Sequence, residues 1–202
     1  MLALARYTGR HENAICQLKA SDVLLTRDQV LHTLAAAGLD ERLADHMPHG
    51  AVHWRPEADK RGYAAVMAIG PAARAALDAY LRDHPRVGDA WLFPADKDPS
   101  RPVQKGVAGD WLVRAERRAK LPKLERGRFH PYRRLFATER KHLPDVDVAE
   151  AAGWRDLRTM KRSYQQPDPA TVLQAIENEP AKASSGGKSA ESTTPGHKLD
   201  TA

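Results

Sequence analysis

The chain has 202 residues, with 32 Lys and Arg against 26 Asp and Glu, nine His and a single Cys. This length fits one domain with a tail, and a hydrophobic share of 42% excludes wholesale disorder. The lone Cys16 excludes a disulfide framework and a Cys-rich zinc site. The longest clean apolar run near the start, Leu2–Ala5, is too short for a signal peptide or a membrane span, so a soluble cytoplasmic protein is expected.

Helical periodicity and cap residues cover most of the chain. Leu2–Leu18 is apolar at helical spacing with a break at Thr8–Gly9, which predicts two short helices. Thr26 and Gln29 form a capping-box pattern that opens a helix, which Gly38 would end. Further helices are predicted over Pro71–Arg82, Val107–Ala119, Pro131–His142, Val146–Ala152 and Pro169–Glu177.

Strand-like segments are few. Val52–Trp54 and Ala64–Ile69 are joined by the polar turn Pro56–Gly62, which predicts an antiparallel pair, and Asp89–Pro94 is predicted to be a short extended segment. The fold class is therefore mainly α with a small antiparallel hairpin or sheet, an α+β architecture.

The segment from Asn178 to Ala202 has a different composition. Leu199 is its only large apolar residue, so it cannot bury enough surface to offset its ordering entropy. We therefore expect one domain over residues 1–177 and a disordered tail over residues 178–202.

Positive charge is concentrated in the middle of the chain. The segment between Arg101 and Arg134 contains eleven basic and three acidic residues, a net charge of 11 − 3 = +8. This exceeds the net charge of +6 of the whole chain. A basic stretch is commonly a solvated helix face, and it also suits a nucleic-acid partner. The candidate contacts to nucleic acid are Arg114, Arg117, Arg118, Lys123, Arg128 and Arg134.

The pair His130 and Arg133 carries the clearest chemical signal. The two residues are three apart at the start of a helical run, so both side chains can project from its first turn. Backbone N–H groups, the helix dipole and the guanidinium fork all favour an oxyanion at such a place. The same pair could instead be a capping His beside a surface Arg.

Other segments place this pair in a larger pattern. In chain order the segments are Thr8–Asp22, Asp59–Gly62, Phe129–Thr138, Ala152–Trp154 and Thr159–Tyr164. This order resembles the tyrosine recombinase (phage integrase) family, with its Arg-bearing first box, its Lys-bearing hairpin, an H-x-x-R box, a G-[H/W] box and a nucleophilic Tyr. The resemblance covers Thr8 to Tyr164 and implies the fold of that family's catalytic core.

The resemblance also implies an activity, the cutting and rejoining of DNA at specific sites. Tyr164 would attack the scissile phosphate and form a 3′-phosphotyrosyl link, while Arg133 and Arg10 would hold the nonbridging oxygens. Because a Tyr hydroxyl has an ordinary pKa of about 10, this attack needs the phosphate charge neutralised and the phenolic proton removed.

The remaining roles follow from the same resemblance. His130 would assist proton transfer, Lys60 would protonate the departing oxygen, and Trp154, which replaces a commoner His, would position the phosphate. No metal or other cofactor is implied. The implied partners are double-stranded DNA and further copies of the chain, joined through the C-terminal helix, with no membrane and no small-molecule substrate.

Three features depart from the family pattern. The register of the first box places His11 where the catalytic Arg stands, so either Arg10 or His11 could serve. Ten positions separate Trp154 from Tyr164 instead of the usual nine, and Tyr164 could be a packing residue. The chain also starts late relative to the family, so an N-terminally incomplete catalytic domain is expected. The alternative is therefore a catalytically impaired, truncated DNA-binding remnant of such an enzyme.

Overall fold

The computed structural model describes residues 1–58, 62, 64–122 and 127–177. The chain divides into two compact units, the first over Met1–Gln166 and the second from Pro167 onward. The described part of the second unit contains one helix, α9 (Pro169–Glu177), none of whose residues is buried. The tail expected over residues 178–202 lies outside the described residues.

Within the described part of the first unit there are eight α-helices. Their bounds are α1 (Leu2–Thr8), α2 (Glu12–Cys16), α3 (Arg27–Ala36), α4 (Pro71–Asp83), α5 (Lys105–Arg118), α6 (His130–Glu139), α7 (Asp145–Ala152) and α8 (Leu157–Ser163). Gly9 separates α1 from α2 because its left-handed φ of 63° ends α1. No helix among the described residues combines the length and apolar character needed to cross a bilayer.

A three-stranded antiparallel sheet lies among these helices, in the order β1 (Val23–Leu24), β2 (Ala51–Trp54) and β3 (Ala65–Ala68). Val52 stands opposite Val23 on one side and Met67 on the other. The pair of β2 and β3 confirms the predicted hairpin. The sequence pattern misses β1, because two residues are too few to show an alternation. The fold class is thus mainly α with a small antiparallel sheet, as predicted.

The two larger hydrophobic clusters hold the helices in place. The first includes Ile15, Leu18, Val52, Trp54 and Leu92. The second joins α6, α7 and α8 through Phe136, Ala137, Val148, Ala149, Ala152, Trp154 and Met160. Because Tyr164 packs against the second cluster, the apolar side chains of these helices fix the position of that ring.

Several predicted helix boundaries are confirmed by their caps. The Thr26 hydroxyl accepts from the Gln29 N–H at 3.3 Å, and the Gln29 side chain accepts from the Thr26 N–H at 3.0 Å. This reciprocal pair is the capping box that starts α3. Pro71 is the first residue of α4, where its missing N–H costs nothing.

One predicted helix is shorter in the structure, and one predicted extended segment forms only isolated bridges. α6 ends at Glu139 and not at His142, in keeping with Pro144, which disfavours a helix that continues to the residue before it. Asp89–Pro94, predicted to be a short extended segment, forms isolated bridges at Trp91 and Pro94 and is not part of the three-stranded sheet. Proline has no N–H with which to extend a ladder.

Candidate active site

Arg133 joins three helices at the start of α6. Its Nη1 donates hydrogen bonds to the carbonyl oxygens of Gly9 and Ala152, the second at 2.9 Å. These carbonyls lie at the C-terminal ends of α1 and α7, where the last carbonyls lack helical partners and the dipole is negative. The side chain is buried, so folding itself fixes this cation at one place.

Trp154 stacks on this guanidinium. The Cζ atom of Arg133 lies 3.8 Å from the centroid of the Trp154 ring. Gly153 ends α7 with a left-handed φ of 71°, and the turn brings Trp154 beside Phe136 in the second cluster. The indole Nε1 is buried and has no acceptor among the described residues. A ligand that reached this N–H would satisfy a donor whose burial costs about 1–3 kcal/mol.

Tyr164 follows α8 and faces the same group. Its ring centroid lies 5.0 Å from that of Trp154 and 5.1 Å from that of His130. The Arg133 Cζ atom lies 5.4 Å from the Tyr164 ring. The carbonyl oxygen of Tyr164 accepts a hydrogen bond from Thr138 Oγ1 at 3.1 Å, which fixes its backbone against α6.

Two acidic residues hold α8 in place. Asp156 accepts hydrogen bonds from the N–H groups of the first turn and from the Thr159 hydroxyl, and the hydroxyl contact contributes most to lowering the pKa of Asp156. Asp145 on α7 pairs with Lys161 on α8 at 2.5 Å, and this hydrogen bond lowers the pKa of Asp145. These contacts set the direction in which α8 presents Tyr164.

Arg10 and His11, the two candidates for the first cation, occupy different environments. Arg10 is only 3% exposed, with its guanidinium against Gly153 and 5.1 Å from the Trp54 ring. His11 is exposed and caps α2, where its Nδ1 accepts the N–H of Asn13 at 3.2 Å. The buried position therefore holds the fixed cation, and the exposed position holds the imidazole.

Replacement of Gly153 by Ala should damage this packing. An added Cβ would collide with Arg10 Nη1, and the left-handed backbone at Gly153 costs any other residue about 1–2 kcal/mol. Gly38→Ala is the matched control, because Gly38 has φ 66° but open space around its Cβ position. We expect Gly153→Ala to lower Tm by more than Gly38→Ala, as measured by thermal unfolding. Equal losses would show that Arg10 yields without cost.

The residues described above border two adjoining cavities. The larger, of about 580 Å³, is lined among others by His11, Lys105, Arg133, Trp154, Arg155 and Tyr164. The smaller, of about 270 Å³, is lined among others by Arg10, His11, Glu12, Lys105, Arg128, His130 and Arg133. The larger cavity is also lined by Glu57 and Asp156, so Arg and Lys exceed Asp and Glu by three to two there and by four to one at the smaller cavity. The smaller cavity in particular suits a polyanion such as a nucleic-acid backbone.

Glu12 and Lys105 are site residues that the sequence does not single out. Glu12 is 5% exposed, and its Oε1 has no hydrogen-bond partner within the described chain. Burial raises the pKa of the Glu12 carboxyl, while the charges of Lys105 and Arg128 act in the opposite direction. Glu12 has a sequence signal in its place beside His11, whereas the only signal for Lys105 is its place in the basic stretch between Arg101 and Arg134.

The predicted nucleic-acid contacts are more dispersed. Three of the predicted contact residues are exposed on α5 and line neither cavity, namely Arg114, Arg117 and Arg118. Arg128 lies against Gly109 and pairs with Asp110 at 3.2 Å, at the edge of the smaller cavity. Arg134 is half-buried on α6. Two predicted residues, Lys60 and Lys123, lie outside the described residues.

Comparison with solved structures finds a consistent set of neighbours. The chain superimposes on XerA recombinase with a TM-score of 0.61 at 16% identity, covering 86% of this chain and 53% of that one. The superposition on XerH site-specific recombinase bound to difH substrate has a TM-score of 0.56 at 21% identity. It covers 87% of this chain and 44% of that one. The superposition on a lambda integrase dimer bound to a COC′ core site has a TM-score of 0.52 at 17% identity. It covers 83% of this chain and 44% of that one. No protein-family model and no curated protein sequence matches the chain.

These superpositions establish the fold. The chain has the fold of tyrosine recombinase catalytic domains, which confirms the fold implied by the sequence resemblance. It spans about half the length of the solved structures that it matches.

Proposed function

We propose that the chain is a tyrosine-type site-specific recombinase or integrase that cuts and rejoins DNA through a 3′-phosphotyrosyl intermediate, without a metal ion. The observation that carries the proposal is the grouping of four side chains at one basic cleft, with ring and guanidinium centres 3.8–5.4 Å apart. They are Tyr164, Arg133, Trp154 and His130. Neighbours in fold that were solved with bound DNA support DNA as the substrate. Residues 1–177 form the catalytic domain in this proposal.

The proposed reaction is a transesterification in which every broken bond is replaced. The Tyr164 oxygen bonds to the phosphorus, the bond from phosphorus to the 5′ oxygen breaks, and that oxygen leaves with a proton as a 5′-hydroxyl. Attack by a 5′-hydroxyl on the phosphotyrosine reverses these steps and frees Tyr164. Because the link conserves the bond energy, rejoining needs no energy source.

The surrounding residues supply charge and protons. Arg133 holds the nonbridging oxygens, with Arg10 adding positive potential from its buried position. His130, edge-on to the Tyr164 ring, takes and returns the phenolic proton. Trp154 donates its indole N–H to the phosphate, and Lys60 protonates the departing 5′ oxygen.

A second candidate function is DNA binding without cleavage. The environment of Arg10 favours this second candidate, because Arg10 is only 3% exposed and its exposed neighbour, His11, does not carry a permanent charge. This candidate predicts salt-sensitive DNA binding with no covalent product.

Covalent trapping separates the two candidates. Duplexes from a randomised pool, nicked so that the released fragment diffuses away, are incubated with the protein and resolved on a denaturing gel. The recombinase proposal predicts a band in which protein and DNA migrate together after denaturation. Salt-sensitive binding with no such band, across pools that vary the nick position, would favour the binding protein.

The exposed arginines of α5 should contribute to binding strength and not to chemistry. Each phosphate contact contributes about 0.9 to the slope of log affinity against log salt. Replacing Arg114, Arg117 and Arg118 together by Ala should therefore flatten this slope by about 2–3 in fluorescence anisotropy titrations. The control replaces three exposed arginines elsewhere, Arg42, Arg82 and Arg86, with the same loss of charge. Identical slopes for the two triple variants would remove α5 from the interface.

We further propose that copies of the chain assemble on DNA through α9, in the cytoplasm. The apolar residues Val172, Leu173 and Ile176 of this helix are 46%, 53% and 76% exposed. An exposed apolar helix face is typical of an element that docks on a partner.

A further inference from the structure

The two cavities share three lining residues: His11, Lys105 and Arg133. Tyr164 lines the larger cavity and His130 lines the smaller. A phosphate that is attacked by Tyr164 while His130 handles the proton therefore lies where the cavities join, within reach of the shared residues.

Of the three shared residues, Lys105 has the side chain that can best adjust its position to a reacting phosphate. Arg133 is anchored by its Nη1 bonds to Gly9 and Ala152, and the His11 Nδ1 accepts the N–H that caps α2. Lys105 is exposed, and its ammonium is a compact charge on a flexible four-carbon stem.

The start of α5 favours an anion beside Lys105. Lys105 is the first residue of this helix, whose first turn contains no acidic residue and whose N-cap side chain makes no capping hydrogen bond to it. A lysine at this position is repelled by the positive end of the helix dipole. A phosphate bound beside it reverses this unfavourable arrangement, because it interacts with both the ammonium and the first N–H groups.

Glu12 places a buried carboxyl at the same cavity as Lys105. The Glu12 carboxyl is buried, lines the smaller cavity and has an Oε1 with no hydrogen-bond partner in the described part of the chain. Lys105 is the first of the two cations whose charge acts on this carboxyl. Glu12 and Lys105 line the same cavity because α2 packs on α5, so an ionised Glu12 would attract the ammonium toward the point where the cavities meet.

We infer that Lys105 is a further catalytic residue, one that binds a nonbridging oxygen of the scissile phosphate, and that Glu12 is the positioning residue that holds its ammonium there. The inference rests on the proposed function. Lys105 supplies an exposed and permanently charged group, which the buried Arg10 and the imidazole of His11 do not provide.

The test compares adduct formation on two versions of the duplex recovered by covalent trapping. One carries the natural scissile phosphate, and the other carries a methylphosphonate there, in which a methyl group replaces a charged oxygen. On the natural duplex, Lys105→Met should slow single-turnover adduct formation by about 10²-fold, the size of effect of one lost oxyanion donor. On the methylphosphonate, most of this defect should disappear, because there is no charge left to neutralise. Lys105→Arg should retain most of the activity.

Lys97→Met is the matched control, since it removes the same charge from an exposed loop outside both cavities. If Lys105→Met and Lys97→Met formed the adduct equally fast, the inference would be overturned while the proposed function stood. An equal defect of Lys105→Met on both duplexes would also overturn it. Failure of the wild-type chain to form any adduct would overturn the proposed function and the inference together.

The role of Glu12 is tested by a double-mutant cycle on the natural duplex. If Glu12 acts through Lys105, Glu12→Gln slows the wild-type chain but causes no further loss in the Lys105→Met background. Independent, multiplicative losses would remove Glu12 from the positioning role.

Discussion

Tyr164→Phe should abolish the covalent protein–DNA product while leaving DNA binding nearly unchanged. The phenolic oxygen is the atom that would bond to phosphorus, and removal of a covalent nucleophile lowers rates by about 10³-fold or more. The ring remains to pack against Trp154 and His130, so the fold should be preserved. Denaturing gels measure the adduct, and anisotropy titrations measure binding.

Tyr132→Phe is the matched control. Tyr132 lies on α6, half-buried, and lines neither cavity, and burial raises the pKa of its hydroxyl. This variant should form the adduct at the wild-type rate. A covalent product that persists in Tyr164→Phe would show that another side chain is the nucleophile.

Replacement of Arg133 should have the second large effect, on both chemistry and stability. Arg133→Ala removes the donor to the Gly9 and Ala152 carbonyls, each a charged hydrogen bond contributing about 1.5–3 kcal/mol, so the free energy of unfolding should fall by several kcal/mol. Arg133→Lys keeps a charge and part of this bonding but loses the planar fork. We expect this milder variant to fold and to form adduct about 10²–10³-fold more slowly than the wild type.

Arg140→Lys is the control that separates an effect on stability from an effect on the chemical step. Arg140 also lies near α6, stacks 3.9 Å from the Phe136 ring centroid and donates to a helix carbonyl, but it lines neither cavity. Its replacement should lower Tm without slowing adduct formation in the folded protein. If Arg133→Lys and Arg140→Lys showed the same small change in rate, Arg133 would be a structural residue only.

Local signals in the sequence are sufficient for much of the fold. The Thr26 capping box, the break at Gly9 and the hairpin strands all depend on neighbouring residues, and all are found in the structure. The two-residue strand β1 exists only because β2 lies beside it, so no local pattern could predict it. The order of the motifs in the sequence also predicts that Tyr164 and Arg133 lie in one site. In the structure, Arg133 lies near the start of α6 and Tyr164 directly follows α8.

The rest of the site depends on contacts between distant segments. Whether Arg10 or His11 faces the cleft is decided by the turn at Gly9 and by the packing of Arg10 against Gly153. Glu12 and Lys105 line the same cavity because α5 packs on α2, which no spacing in the sequence encodes.

The most direct test of the proposed chemistry identifies the linked residue in the trapped adduct. Trypsin digestion after Arg162 would release a peptide that begins at Ser163 and contains Tyr164 as its only tyrosine. After nuclease treatment, mass spectrometry should find this peptide with a nucleotide joined through a 3′-phosphate to Tyr164. A nucleotide on any other residue, or a link through a 5′-phosphate, would contradict the account.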